Sequence, residues 1–356
     1  MNDRTRREFI KAGIIAAVSP ALVGRLVSAV GAQESEEPLF QTRYSCFYQA
    51  TGAVIDLYAD PLEGLVNDEA HVHVFAQSHA SAYASRPLAD RIHASGPSFR
   101  YAPCFDLHEH VGWGTAGEEQ LAEWGRGFRD AALAATADYF GFNELPTTAS
   151  DNSEAGRRIR RQVATLLTYL SEPNDKGDRL EGIFFMTHQP SMPGNWPERD
   201  AEFWEAVNQS SRLIVAEHYH GHGFICNNTD MYLSNHFFAL RDWLYASDEP
   251  AQIEIANEKF TVLHSSRYGP GPSGWQGADS NLVPFDAFER NLAKCSRLTR
   301  NRSGGYNRIC FAPLTTAYTD PAVHPRIRRL VNWHYNQGSD DIERLCLGDD
   351  SSECQC

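Results

Sequence analysis

The sequence predicts an α/β protein, a single (β/α)8 TIM barrel, and three observations predict it. From residue 43 onward, eight short apolar runs recur with polar or amphipathic segments between them. Strands separated by helical stretches of this length are joined in parallel by right-handed crossovers. No GxGxxG follows an early run, so the fingerprint of the rival doubly wound sheet is missing.

The runs read YSCFYQAT (44–51), HVHVFAQS (71–78), FRYAPCFDL (99–107), DYFGFNE (138–144), GIFFMT (182–187), LIVAEH (213–218), FTVLHS (260–265) and RICFAPL (308–314). Helices are expected over 118–136, 153–170, 200–211, 231–246, 284–300 and 325–335, where apolar residues return at helical spacing. Three of them open on recognisable caps. Thr115 or Gly117 precedes Glu118-Glu119, Asp151-Asn152-Ser153 precedes Glu154, and Asn228-Thr229-Asp230 opens the helix after the sixth run. The segment YGPGPSGWQGADSN (268–281) is a Gly, Pro and Ser-rich loop after the seventh run, suited to a lid or a subsite wall.

Lys and Arg number 32 against 46 Asp and Glu, a formal charge of −14. A chain without basic excess is not built to neutralise phosphates, which argues against nucleic acid and anionic membranes as partners. Near the N-terminus the chain carries Arg6-Arg7, Phe9 and Lys11, an apolar stretch over 12–24, and Val30-Gly31-Ala32 ahead of Gln33. This resembles a twin-arginine signal peptide. The apolar stretch, about 13 residues, is short of the ~20 needed to span a bilayer, and no later stretch approaches that length.

The expected organisation is therefore a signal over 1–32, a linker over 33–42, the barrel over 43–337 and a Cys-containing tail over 338–356. The resemblance implies twin-arginine translocation, a periplasmic or secreted protein and no membrane anchor. Loss of 1–32 removes five basic and two acidic residues, leaving 27 and 44, a net charge of −17. The eight cysteines, at 46, 104, 226, 295, 310, 346, 354 and 356, suit disulfides in an oxidising compartment. Cys46, Cys104 and Cys310 fall in apolar runs, where buried thiols or disulfides are expected rather than catalysis. No CxxC pair marks a zinc knuckle.

In a (β/α)8 barrel the chemistry sits where strands meet the loops that follow them. The run ends here are rich in reactive groups: Gln49; Gln77 and His79; Asp106, His108 and Glu109; Asn143-Glu144; His188 and Gln189; Glu217, His218 and His220; His264, Ser265 and Arg267; Thr315, Thr316 and Tyr318. The fourth run, with Asn143-Glu144 at its end, resembles the acid/base strand of the large clan of (β/α)8 glycoside hydrolases. That resemblance implies Glu144 as proton donor and Asn143 as a sugar contact. In that clan a second Glu ends strand seven, but here the seventh run ends in His264-Ser265-Ser266-Arg267.

Glu217 is the best replacement for the missing carboxylate, with Asp106 and Glu109 in reserve. A carboxyl separation of ~5 Å suits retention and one of ~6.5–9.5 Å suits inversion. The expected partner is a carbohydrate substrate, with no cofactor and no metal. Sugar contacts are expected from His188, His218, His220 and Arg267, with stacking faces from Trp196, Trp275 and Tyr48. Trp113, Tyr219 and Tyr268 lie near the same mouth. Arg267 suits an acidic sugar or a carboxylate partner, and the acidic net charge argues against polyanionic polymers.

A second reading uses histidines. His71, His73, His108, His110, His188, His218, His220, His222 and His264 are nine of the 14, and with Asp they resemble the metal-dependent amidohydrolase barrels. The fit is partial, because HxH opens the second run, at the wrong end of the barrel, and no Asp ends the eighth before Asp320. A third reading is a non-catalytic carbohydrate-binding barrel, consistent with the missing carboxylate. No GxSxG supports a serine nucleophile elbow.

Overall fold

A computed structural model of the chain describes residues 43–48, 71–77, 84–107, 110, 112–143, 145, 153–187, 200–220, 222–266, 285–302 and 309–311, with 325, 326 and 329. All lie within the unit Thr42–Cys356. In chain order the elements are β1 (Arg43–Tyr48), β2 (His71–Gln77), α1 (Arg86–Ala94), β3 (Phe99–Asp106), a 3-10 turn (Trp113–Thr115), α2 (Glu118–Ala134), β4 (Tyr139–Asn143) and α3 (Glu154–Ser171). They continue with β5 (Glu181–Thr187), α4 (Ala201–Ser210), β6 (Ser211–His220), α5 (His222–Asn227), α6 (Asp230–Phe237), α7 (Ala239–Tyr245) and α8 (Pro250–Glu254). A π-helical turn (Ile255–Lys259), β7 (Phe260–Ser266), α9 (Phe285–Arg302) and β8 (Ile309–Phe311) complete the series.

The eight strands form one closed barrel in sequence order, every neighbouring pair parallel, and β8 closes on β1 with Cys46 opposite Cys310. Each expected apolar run thus holds a strand. Alternate residues divide the core into two layers, as the two-residue repeat of a strand requires. Cys46, Val74, Ala76, Ala102, Cys104, Ile183, Phe185, Leu213, Val215 and Leu263 fill the barrel. Their neighbours Phe75, Tyr101, Phe105, Phe140, Phe142, Phe184, Ile214 and Val262 face the helices, where Leu121, Val163, Leu167, Trp204 and Phe237 meet them.

The expected caps are in place. The Ser153 side chain accepts from Gly156 N at 3.1 Å and Thr229 from Tyr232 N at 3.3 Å; Asp200, for which no cap was expected, accepts from Phe203 N at 3.2 Å. Each such cap is worth about 0.5–2 kcal/mol to its helix. Before α2 the N-cap is Gly117, which has no side chain to offer.

Four elements differ from the sequence reading, one of them the short α5 (His222–Asn227), where no helix was expected. Helix α1 was not expected: it buries only Ala89 and Ile92, too short a stripe to register as periodicity. The single helix expected over 231–246 is two, α6 and α7, broken at Phe238 with φ −103° and ψ 7°. The His218 ring donates from Nε2 to the Phe237 carbonyl at 3.2 Å, engaging an acceptor at the point where the helix turns. Between 247 and 259, where no helix was expected, α8 runs into the π-helical turn. Of the helix expected over 325–335 only 325, 326 and 329 are described, all helical, while the 268–281 loop and the segments 1–42 and 338–356 fall outside the described residues.

Two local features position the mouth of the barrel. On β4, a Cβ added to Gly141 would stand 2.2 Å from Cys104 Sγ, so glycine is what lets that sulfur lie across the neighbouring strand. Between β5 and β6 the register shifts: Gly182 is opposite Ser211, but Ile183 is opposite Leu213. Lys259 supports that irregularity by donating to the backbone carbonyls of Asn208 and Ser211. At that same end of the barrel, where the strands begin, Asp138 accepts from His93 Nε2 at 2.7 Å and Tyr101 N at 2.9 Å, tying α1 to the starts of β3 and β4.

Candidate active site

Parallel strands bring all their C-terminal ends to one rim. Asp106 is the last residue of β3 and stands opposite Asn143, the last of β4. On β6 Glu217 stands opposite Thr187, the last residue of β5. Asp106 follows Cys104 at the two-residue repeat, and Glu217 follows Leu213 and Val215, so both carboxylates continue the interior layer.

The three polar side chains are sheltered: Asp106 is 9% exposed, Asn143 2% and Glu217 2%. Asn143 Nδ2 donates to Asp106 Oδ2 at 2.9 Å, which fixes the carboxylate against β4. One sulfur reports on both acids. The Cys104 thiol is pushed well above its ordinary pKa, first by burial and then by the charges of Asp106 and Glu217. Asp106 and Glu217 therefore both lie close enough to Cys104 for their charges to act on it, and Gly141 leaves the room its sulfur takes.

Above β3, His110 is held by its ring faces, stacked on Phe105 with centroids 4.8 Å apart and packed against Trp124 at 4.5 Å. Burial lowers its pKa, and the charge of Asp106 works in the opposite direction. A half-buried imidazole with a carboxylate nearby is suited to hydrogen bonding or proton exchange at the rim.

His218 requires a correction. Expected as a sugar contact, it is 1% exposed and lies outside the barrel, packed on Phe237 at 5.1 Å, His236 at 5.4 Å and His264 at 6.1 Å. The physical reason is the strand repeat, which sends neighbouring residues to opposite faces. His264 belongs to the same outer layer, with Nε2 2.6 Å from Thr299 Oγ1 on α9. Thr299 passes its own proton to the Cys295 carbonyl at 2.8 Å, so the imidazole is the donor in that pair. His73, near the start of β2, is buried against Phe99, at the end of the barrel away from the rim.

Gln77 is also drawn away. Its Oε1 accepts from the Tyr101 hydroxyl, which in turn accepts from Ser85 N at 2.9 Å. Burial pushes Tyr101 up to about 12, so it remains a neutral donor. Tyr48 and His220 end β1 and β6 by their backbones. Glu144, His188, Arg267, Trp196 and Trp275 lie outside the described residues, as do His108 and Glu109. Cys104 and Gly141 were missed as site residues, although a small residue two positions before each of Asp106 and Asn143 is a readable sign of space beneath them.

Among the described residues no three His, Cys, Asp or Glu side chains are grouped to hold a metal ion, and no helix is long and apolar enough to cross a membrane. Cys46, Cys104 and Cys295 are buried thiols, while Cys226 is disulfide-bonded.

No family model matches the chain, and no curated protein matches it. Among solved structures it is similar to a GH18 chitinase from Pseudoalteromonas aurantia, at 12% identity and a TM-score of 0.47 over 81% of this chain and 99% of that one. It is also similar to an endo-beta-N-acetylglucosaminidase from Cordyceps militaris, at 7% identity and a TM-score of 0.46 over 90% and 97%. Two fungal beta-1,4-galactanases form a further likeness, at 11% and 0.44 over 77% and 90%. The barrel itself rests on its strand pairing.

Proposed function

We propose that this chain is an exported glycoside hydrolase that cleaves a polysaccharide or cell-envelope glycan with a pair of carboxylates. The observation that carries the proposal is the placement of Asp106, Asn143 and Glu217 at one rim of the barrel, with the charges of both acids acting on Cys104. Glu144, next in the chain after Asn143, is the proton donor to the leaving oxygen. Glu217 is the second carboxylate, either attacking the anomeric carbon or drawing a proton from the attacking water. Asp106, held by Asn143, is the reserve for that role and otherwise a contact for sugar hydroxyls. The export half of the proposal rests on Arg6-Arg7 and the apolar stretch behind them.

The test is reducing-sugar release from a broad glycan panel by the mature protein and by Glu144→Gln, Glu217→Gln and Asp106→Asn. Loss of turnover with retained glycan binding in Glu144→Gln and Glu217→Gln is expected. Full turnover in all three variants would overturn the two-carboxylate mechanism. Elemental analysis of protein never exposed to chelator separates the metal-dependent alternative: one ion per chain, lost together with activity, would move the chemistry to the histidines.

A further inference from the structure

The flank of the barrel between α2 and α3 holds a cleft of about 360 Å³, lined on one side by Thr115, Ala116 and Glu118 and on the other by Arg158, Arg161 and Thr165. Its walls are tied together by Gln162, whose Nε2 donates to the Ala116 carbonyl at 2.9 Å. Arg158, Arg161 and Thr165 return at helical spacing and so share the face of α3 that looks into the cleft. Among the described residues neither guanidinium takes part in an ion pair. The contrast with Arg160, between them in sequence, is direct: it is buried and its Nε bonds Asp200 at 2.8 Å. In a chain of net charge −14, two arginines against the single carboxylate of Glu118, which accepts from the Tyr169 hydroxyl at 3.0 Å, are a local reversal of sign.

The cleft also has a consistent location. Helices of a (β/α)8 barrel begin at the end where the strands finish, so the 3-10 turn, Gly117 and the first turns of α3 all lie towards the catalytic rim. Thr115 stands on the connection leaving Asp106, and α3 follows the connection leaving Asn143. A chain of sugars seated on those two residues can leave the mouth between α2 and α3. Guanidinium groups are suited to oxyanions by their planar, forked donors.

We propose that this cleft is an accessory subsite for an oxyanion, a carboxylate or sulfate ester, carried by an acidic glycan. Arg158 and Arg161 hold the anion, and the Thr115 and Thr165 hydroxyls serve neighbouring sugar oxygens. The sugar part rests on the hydrolase reading above; recognition of the anion is tested without turnover. The acidic protein surface does not prevent it, since repulsion beyond a Debye length of about 10 Å is largely screened.

Isothermal titration of the mature protein with a galacturonate oligosaccharide, a sulfated galactan oligosaccharide and a neutral cello-oligosaccharide is the test. At least one acidic probe should bind more tightly than the neutral one, and whichever does so identifies the anion. The double variant R158Q/R161Q should weaken that binding by roughly tenfold or more, with a smaller salt dependence. Arg157→Gln, on the same helix but not lining the cleft, should leave it unchanged. In the wild type, the bound acidic probe should protect Arg158 and Arg161 from phenylglyoxal, read by peptide mass. Failure of both acidic probes to bind, equal binding by the double variant, or equal loss in Arg157→Gln would overturn the subsite. A protein that hydrolyses nothing yet binds the acidic probe through these arginines would remove the hydrolase reading and leave the cleft. Hydrolysis with no dependence on the arginines would do the reverse.

Discussion

Glu217 and His218 are consecutive residues of β6, equally hidden from solvent, and they belong to different worlds. Glu217 faces the barrel interior, where its charge acts on the Cys104 thiol together with that of Asp106. His218 faces the helices and is packed among His264, His236 and Phe237. Burial does not tell the two apart; their neighbours do. The inner residue is surrounded by groups that can share protons with a ligand, whereas the outer one is committed to fixing where α6 ends. A reactive residue type at a strand end is therefore evidence of function only when its face is known.

The widest separation between the two faces is expected in activity. Glu217→Gln should lower turnover by about 10²–10⁴-fold with little change in melting temperature. His218→Ala should show the opposite, losing about 2–4 kcal/mol of stability while the surviving folded protein turns over at nearly the wild-type rate. Steady-state kinetics beside denaturant unfolding reads both, and a His218 variant that folds normally but is inactive would erase the distinction.

Next in size is the inner layer's packing. Gly141→Ala should cost about 1–3 kcal/mol, because the added Cβ meets Cys104 Sγ at 2.2 Å. Combining it with Cys104→Ala should recover much of that loss, since the second change removes the obstructing sulfur. Strict additivity in this double-mutant cycle would show that the two residues do not share the space.

In the outer layer Thr299→Val removes the acceptor of His264 Nε2 while nearly preserving shape, and about 1 kcal/mol of destabilisation is expected by urea unfolding. The smallest effect is a pH dependence. Burial lowers His236 to about 4 from an ordinary 6.5, so between those values the unfolded chain binds the proton more readily than the folded one. Stability from this residue is full above pH 6.5 and declines as pH falls towards 4. Melting temperatures over that range should flatten in His236→Phe, and an unchanged slope would assign the effect to other groups.

Much of this fold was legible in the sequence because strands buried on both faces advertise themselves as short apolar runs, and all eight did so. Helices α2, α3 and α4 were legible through their amphipathic stripes, and α3 through its Ser153 cap as well. Helix α1 was not, with two buried residues, and neither was the break at Phe238, beside a Phe237 carbonyl that His218, nineteen positions back, binds. At the site, Asp106, Asn143 and Glu217 could be named from their places at the ends of runs. Their coming together around Cys104 could not, because it depends on the stagger of non-adjacent strands. His218 was assigned to the mouth because alternation along the sixth run does not by itself say which set of residues turns inward.

That last ambiguity is resolved by a single residue. Ser211 is opposite Gly182, whose absent side chain is replaced by the rings of Phe184 and Phe140 in the outer layer. Leu213, only two positions on, is opposite Ile183 in the barrel. A regular strand returns to the same face every second residue, so exposed Arg212 is a one-residue insertion that changes the reading frame of everything downstream on β6. Straighten the bulge without removing a residue, so that Arg212 rather than Leu213 stands opposite Ile183, and the strand presents imidazole where it now presents carboxylate. Such a frameshift, written in geometry rather than in codons, is a short route by which one barrel could exchange acid/base chemistry for a ligand set of another kind.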